Sequence, residues 1–357
     1  MKNQWNMLQS ELEKRGVPKI GLPTEPEARK KRLEEIRNLL CRELYGYAPT
    51  FPLKVEGVER KRDDNGYGGK AVILQLEIRV ASPFNSGVFP AIVALPKGKT
   101  KPPLFLHYAF TNTAGDGIGE EIIDRGYGLA SLYYEAVTPD KDDSFLNGAG
   151  SFCRRNPYDS WGKIAIWAWA GSRFLDVCLE KELADPKRIA VVGHSRLGKT
   201  ALLAGALDER FSMVIGNDSG CGGIALYRGK KGEQLADLAK NAGYWFCGNM
   251  ADLVGREQEM EFDAHYLAAL TAPRHLYVAS ASEDDWADPK SEFLACAAGS
   301  EAYESLGLRG LVCPDRYPQP GEAFQEGHIG YHLRKGTHHL AREDWHRFME
   351  YRERHNI

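Results

Sequence analysis

The sequence predicts an α/β fold: a three-layer αβα sandwich with a mostly parallel central sheet. Three observations carry this. From Gly128 onward, short apolar, β-branched runs alternate with helix-forming segments. Polar, chemically capable residues fall where those runs end, at Ser195, Asp218, Asp284 and Asp285, and in parallel sheets sites lie beyond the carboxyl ends of the strands. Finally, Ile189–Val192 reads as a buried strand and Thr200–Leu207 as a helix, with the tight turn Gly193-His194-Ser195-Arg196-Leu197-Gly198 between them.

Glu25 to Leu44 is rich in Glu, Arg and Leu, with Leu33, Ile36, Leu39, Leu40 and Leu44 at helical spacing. Residues 1–50 are therefore expected to form a helical extension packed on the body, and 51–357 a single catalytic domain. Lys54–Arg60 and Lys70–Ala81 alternate apolar and polar residues. With Gly87–Leu95 and Pro103–Phe110 they predict a meander opening a mixed sheet. Gly128–Tyr134 predicts a strand and Ser160–Leu179 a long apolar helix. Phe211–Ile215 and His275–Ser280 predict two more strands, and Leu340 starts the last helix.

Composition bounds the function. The chain has 357 residues, 43% hydrophobic and 27% charged, with a net charge of −3. That range is ordinary for a globular protein, and no basic field suits nucleic acid or a membrane surface. No apolar run is long enough to span a bilayer. The first ten residues lack the apolar centre of a signal peptide, so a cytoplasmic protein is expected, or a secreted one whose leader has been removed. Cys41, Cys153, Cys178, Cys221, Cys247, Cys296 and Cys313 are scattered, without a C-x-x-C. This argues for a reducing compartment and against a disulfide framework or structural zinc.

A serine on a sharp strand-to-helix turn is the nucleophile elbow of α/β-hydrolases, which makes Ser195 the candidate nucleophile. The usual motif is G-x-S-x-G; here Leu197 holds the fifth position and the glycine comes at Gly198. A nucleophilic serine needs a base, and the base an orienting acid, in the chain order Ser, acid, His. His328, His332, His338 and His339 lie late enough; His338, on a loop before the last helix, is preferred. The acid is Asp284 or Asp285 after one strand, or Asp218 one strand earlier. Adjacent residues on an extended segment point opposite ways, so only one of Asp284 and Asp285 faces the histidine. Arg196 and Lys199 sit at a helix start, where cations are disfavoured, and this suggests an anionic or strongly polar substrate. Trp286 suggests a wall for a sugar ring.

Gly193-His194-Ser195-Arg196-Leu197-Gly198-Lys199 resembles the G-x-S-R-x-G-K elbow of the glucuronoyl esterases, carbohydrate esterase family 15. Asn217–Gly223, Tyr244–Asn249, Glu283–Pro289 and Gly336–Leu340 resemble further family segments. The resemblance covers about half the chain and none of the first hundred residues. It implies a metal-free α/β-hydrolase that cleaves esters of 4-O-methyl-glucuronic acid on xylan, the partner being a plant cell-wall carbohydrate. It implies Ser195 as nucleophile, His338 as base and Arg196 as oxyanion donor. Lys199, Glu233 and Trp286 would bind the sugar, with the acid at either Asp284 or Asp218. A xylan acetyl esterase and a catalytically inactive carbohydrate-binding relative are the alternatives. The alcohol half of the ester, the 4-O-methyl preference and the oligomeric state are left open.

Overall fold

The computed structural model describes residues 5–114 and 117–357. Ten strands form one sheet: β1 (Lys54–Asn65), β2 (Ala71–Ala81), β3 (Ser86–Pro96), β4 (Leu104–Ala109), β5 (Gly128–Tyr133), β6 (Ile189–His194), β7 (Met213–Asn217), β8 (His275–Ala281), β9 (Ala323–Phe324) and β10 (Ile329–Arg334). Their spatial order is β1-β2-β3-β5-β4-β6-β7-β8-β10-β9. The expected meander holds for β1–β2–β3, which joins the body by antiparallel pairing of β3 with β5, but its expected fourth strand, β4, lies instead between β5 and β6, parallel to both. From β5 to β10 the pairing is parallel. The outer edge strand β1 is mostly exposed and carries Arg60, Lys61, Arg62, Asp63 and Asp64, charges that discourage edge-to-edge pairing.

The helices that matter here are α1 (Met7–Lys14), α2 (Pro26–Leu40), α3 (Lys163–Glu180), α4 (Arg196–Leu207), α5 (Leu235–Ala242), α6 (Pro289–Glu304) and α7 (Arg342–His355). Strand side chains divide between the two faces with period two. Val191, Val214 and Leu276 join a core with Trp167 of α3, Leu203 of α4 and Phe293 of α6. Their neighbours Val192, Ile215 and Tyr277 join a second core with Trp345 and Phe348 of α7. These two buried layers make the three-layer sandwich.

Several boundaries differ from the sequence reading. α3 starts at Lys163 rather than Ser160, because Gly162 is extended and packs on backbone: a Cβ there would lie 2.3 Å from the Trp245 carbonyl oxygen. α4 starts at Arg196, directly after Ser195, not at Thr200. α7 starts at Arg342, two residues after Leu340. The regular helix expected to reach Leu44 ends at Leu40 and widens into a π turn over Cys41–Tyr45. Strand β10 and helix α6 have no counterpart in the sequence reading. β10 is buried throughout yet carries His332 and Arg334, whose polar atoms are met by Asp344 of α7.

Of residues 1–50, Met1–Gln4 lie outside the described residues. The rest lies against the body through Leu8, Leu12, Ile36, Leu40 and Tyr45, all in the first core. Polar anchors add to this. The Asp315 carboxylate accepts from the N–H groups of Asn6, Met7 and Leu8 at 2.7–2.9 Å, and that of Glu301 accepts from Ile20 and Gly21. No described helix is long and apolar enough to cross a membrane.

Candidate active site

Ser195 is the single residue between β6 and α4, and its backbone is left-handed at φ 57°. A non-glycine residue holds that conformation only when its surroundings enforce it. Here the Ser195 N–H donates to the Asn217 carbonyl on β7 at 2.9 Å, and its own carbonyl accepts the Lys199 N–H. The glycine spacing of the motif follows from packing. A Cβ on Gly193 would lie 2.0 Å from the Leu197 carbonyl oxygen, so Gly193 is fixed by the first helical turn. A Cβ on Gly198 would meet the Asn217 carbonyl at 2.9 Å, so the later glycine lets α4 close onto β7. Leu197, buried in the core, meets neither constraint.

Ser195 opens into a cleft of about 480 Å³ that is also lined by Arg196, Lys199, Asp218, Glu233, Trp286 and His338. Asp284 stands directly behind the histidine: His338 Nδ1 lies 2.6 Å from Asp284 Oδ2. The eight residues that the family resemblance implies therefore meet at one place. The other histidines do not. His332 is bonded to Asp344 at 2.7 Å and to the Tyr277 hydroxyl at 3.1 Å, inside the second core. His328 stacks on His275 at 4.8 Å. His339 is absent from the cleft lining. Asp285 is exposed and turns away from Asp284 into a neighbouring cavity.

The carboxylates behave differently. Burial would raise the Asp284 carboxyl, but the hydrogen bond and charge of His338 outweigh it and hold it below the usual carboxylate range. Burial pushes the Asp218 carboxyl well above that range, helped by Glu292, Asp284 and Asp344. Asp218 Oδ1 accepts from the Ala281 N–H at 2.7 Å. Asp218, Asp284 and His338 present donor atoms within 4.8 Å of one another, a spacing a metal ion could bridge. The Asp284–His338 bond already satisfies the imidazole there.

Of the two substrate characters that Arg196 and Lys199 suggested, anionic or strongly polar, the pairing in the fold leaves the polar one. Both are neutralised by partners. Arg196 Nη1 donates to Asp140, and Lys199 Nζ donates to Glu233 Oε2 at 3.0 Å and to the Ser219 carbonyl at 2.8 Å. Glu233 is held in turn by its N–H on the Trp286 carbonyl, 2.9 Å away, and the Trp286 side chain stays 53% exposed. The cleft is polar without a bare cation among its described residues.

Sequence reasoning missed three participants. Asp140 and Trp245 frame Arg196, whose guanidinium lies 5.0 Å from the Trp245 ring centroid. His194, inside the elbow motif, stacks on His338 with ring centroids 4.4 Å apart. Burial, with a smaller push from His338, lowers its pKa to about 3, so it packs there as a neutral ring. Trp245 lay within a motif already noted, whereas Asp140 sits in the aspartate-rich loop Asp140–Asp143 with nothing local to single it out.

A serine forced into a left-handed elbow, in one cleft with a carboxylate-anchored imidazole beyond the C-terminal ends of parallel strands, is the arrangement of the α/β-hydrolase fold. Residues 78–307 match the family described as "Glucuronyl esterase, fungi", and the chain belongs to the glucuronoyl esterases of carbohydrate esterase family 15. It is 31% identical, over 91% of its length and 84% of the relative's, to the carbohydrate esterase MZ0003 from an unknown prokaryotic organism. It is 30% identical to a 4-O-methyl-glucuronoyl methylesterase of Phanerochaete carnosa, over 76% of this chain and 67% of that one. Among solved structures, a promiscuous family 15 esterase from a marine bacterial metagenome superposes with a TM-score of 0.85 at 29% identity, over 95% and 96% of the two chains. A glucuronoyl esterase from Solibacter usitatus gives 0.83 at 31% identity, over 94% and 97%.

Proposed function

We propose that the protein hydrolyses carboxylic esters of glucuronic acid carried on a carbohydrate, with Ser195, His338 and Asp284 as its catalytic groups. The observation that carries this reading is the shared cleft. It sets an elbow serine and an Asp284-anchored histidine beside a Lys199–Glu233 pair and an exposed tryptophan. The first three supply ester chemistry, and the last three suit the hydroxyl edge and face of a sugar ring.

The steps follow from the geometry. The ionised Asp284 accepts the Nδ1–H of His338, which leaves Nε2 to take the Ser195 hydroxyl proton. Oγ attacks the C6 carbonyl carbon of the glucuronate. Charge on the carbonyl oxygen is met by the start of α4, where the Arg196 N–H has no acceptor within the helix, and by the guanidinium beside it. His338 then returns its proton to the departing alcohol oxygen. Water, deprotonated by the same nitrogen, hydrolyses the acyl-enzyme and releases glucuronate and Ser195.

A 4-O-methyl group on the glucuronate is a finer substrate feature we infer from the names of the relatives, and a xylan main chain beyond it is what the family resemblance implies. Kinetics on benzyl glucuronate beside an aryl acetate, each with and without a chelator, test the reading. Preference for the glucuronate ester by more than about tenfold in kcat/KM, unaffected by chelation, supports it. A preference for the acetate overturns it in favour of an acetyl esterase.

A further inference from the structure

The carboxylate of Asp140 is 4% exposed and accepts four hydrogen bonds: from Arg196 Nη1, the Tyr134 hydroxyl at 3.1 Å, the Tyr244 hydroxyl at 3.2 Å and Trp245 Nε1 at 2.7 Å. The loop that carries it is pinned from below. Buried Lys163, at the start of α3, donates to the Thr138 hydroxyl, the Pro139 carbonyl and the Asp143 carboxylate at 2.7–3.0 Å, and Trp167 Nε1 donates to the Thr138 carbonyl. Asp140 is therefore a fixed charge. Arg196 is held between it and the rings of Trp245 and Phe110, at 5.0 and 5.7 Å.

We propose that Asp140 is a positioning residue with two effects on the reaction: it aims Arg196 at the developing oxyanion, and it cancels the arginine charge so that the cleft lets go of its anionic product. This rests on the reading of the site as a glucuronate esterase.

The chemistry requires some such device. The substrate ester is uncharged at C6, whereas the product is a carboxylate in the same place. A bare guanidinium grips a carboxylate through two parallel N–H bonds, and a product held that way blocks the next turnover. The oxyanion needs something different, namely preoriented donors at one point for a brief time. Asp140 takes up Nη1 and Nε is buried, so neither two-pronged edge of the guanidinium is whole, while its plane stays fixed. The remaining charges in and around the cleft agree. Lys199 is tied to Glu233, and the other charged side chains among the described lining residues are carboxyl groups or His338: Asp218, Asp237 and, behind His338, Asp284.

The test compares KM for benzyl glucuronate with the inhibition constant of free glucuronate. In the wild type, the inhibition constant should exceed KM by at least about tenfold; a value at or below KM overturns the proposal without any variant. Asp140→Asn, which keeps an acceptor but loses the charge, should lower kcat by about tenfold or more and tighten glucuronate inhibition by about tenfold. Adding Arg196→Gln should abolish that tightening. A residue that merely stabilised the loop would weaken ester and product binding together, so a folded Asp140→Asn with unchanged or weaker product inhibition overturns the proposal. Wild-type protein that fails to hydrolyse glucuronate esters would instead refute the function itself.

Discussion

The ends of β7 and β8 each deliver one aspartate to the same few ångströms around His338, and the two meet different surroundings. Asp284, after β8, touches the imidazole at 2.6 Å and also accepts the Ala287 N–H. Asp218, after β7, spends one oxygen on the Ala281 N–H; the other accepts no hydrogen bond among the described residues. His194 and Arg334 approach that oxygen only to 3.9 Å. Two carboxylates this close, in a buried site with Glu292 and Asp344 nearby, disfavour each other's charge. Burial raises both carboxyls; on Asp284 the hydrogen bond and charge of His338 outweigh it, whereas on Asp218 the more distant Arg334 and His194 do not. The proposed choice of Asp284 as the acid therefore rests on neighbours and solvation, not on residue type or position at a strand end.

The contrast gives predictions of decreasing size. Ser195→Ala removes the proposed nucleophile and should cost about 10⁶ in kcat; substantial turnover by the folded variant would show that chemistry occurs elsewhere. Asp284→Ala should cost about 10⁴, as loss of a triad acid does when the tautomer is no longer held. Lys199→Ala lies off the proton path, so it should raise KM for glucuronate esters by about 10- to 100-fold, the worth of one charge-assisted hydrogen bond, and leave an aryl acetate unaffected. An equal loss on both substrates would mark the lysine as structural. Asp218→Asn should change kcat by less than about tenfold.

Asp218→Asn has a second, separate readout. The folded carboxyl titrates above its unfolded value, so its contribution to stability is fully present below the ordinary carboxylate range and is lost as pH rises. The asparagine variant lacks that loss. Its stability relative to wild type should therefore improve from pH 4 towards pH 8, as read by chemical denaturation at each pH. A difference that does not change with pH would show that Asp218 is ionised in the folded protein.

Much of this was legible in the sequence, for identifiable reasons. The parallel half of the sheet was readable because β6, β7 and β8 are apolar runs with polar ends. The elbow was readable because close backbone packing demands Gly193 and Gly198 at fixed offsets. β10 was not, because His332 and Arg334 break the apolar pattern and become tolerable only once Asp344 arrives from α7. α6 was missed for the opposite reason: most of its faces are buried, so it shows no amphipathic period. The pairing of Arg196 with Asp140 joins residues 56 positions apart, and no local pattern announces such a contact. For the same reason the elbow cations looked unpaired in the sequence and are neutralised in the fold.

The most direct test of the account is a double-mutant cycle on the two strand ends, measured as kcat for benzyl glucuronate at neutral pH. Asp284→Asn, Asp218→Asn and the double variant are compared with wild type. The account predicts a loss of about 10⁴ for Asp284→Asn, less than tenfold for Asp218→Asn, and a double variant close to Asp284→Asn alone. A larger loss from Asp218→Asn than from Asp284→Asn would place the acid after β7 and contradict it.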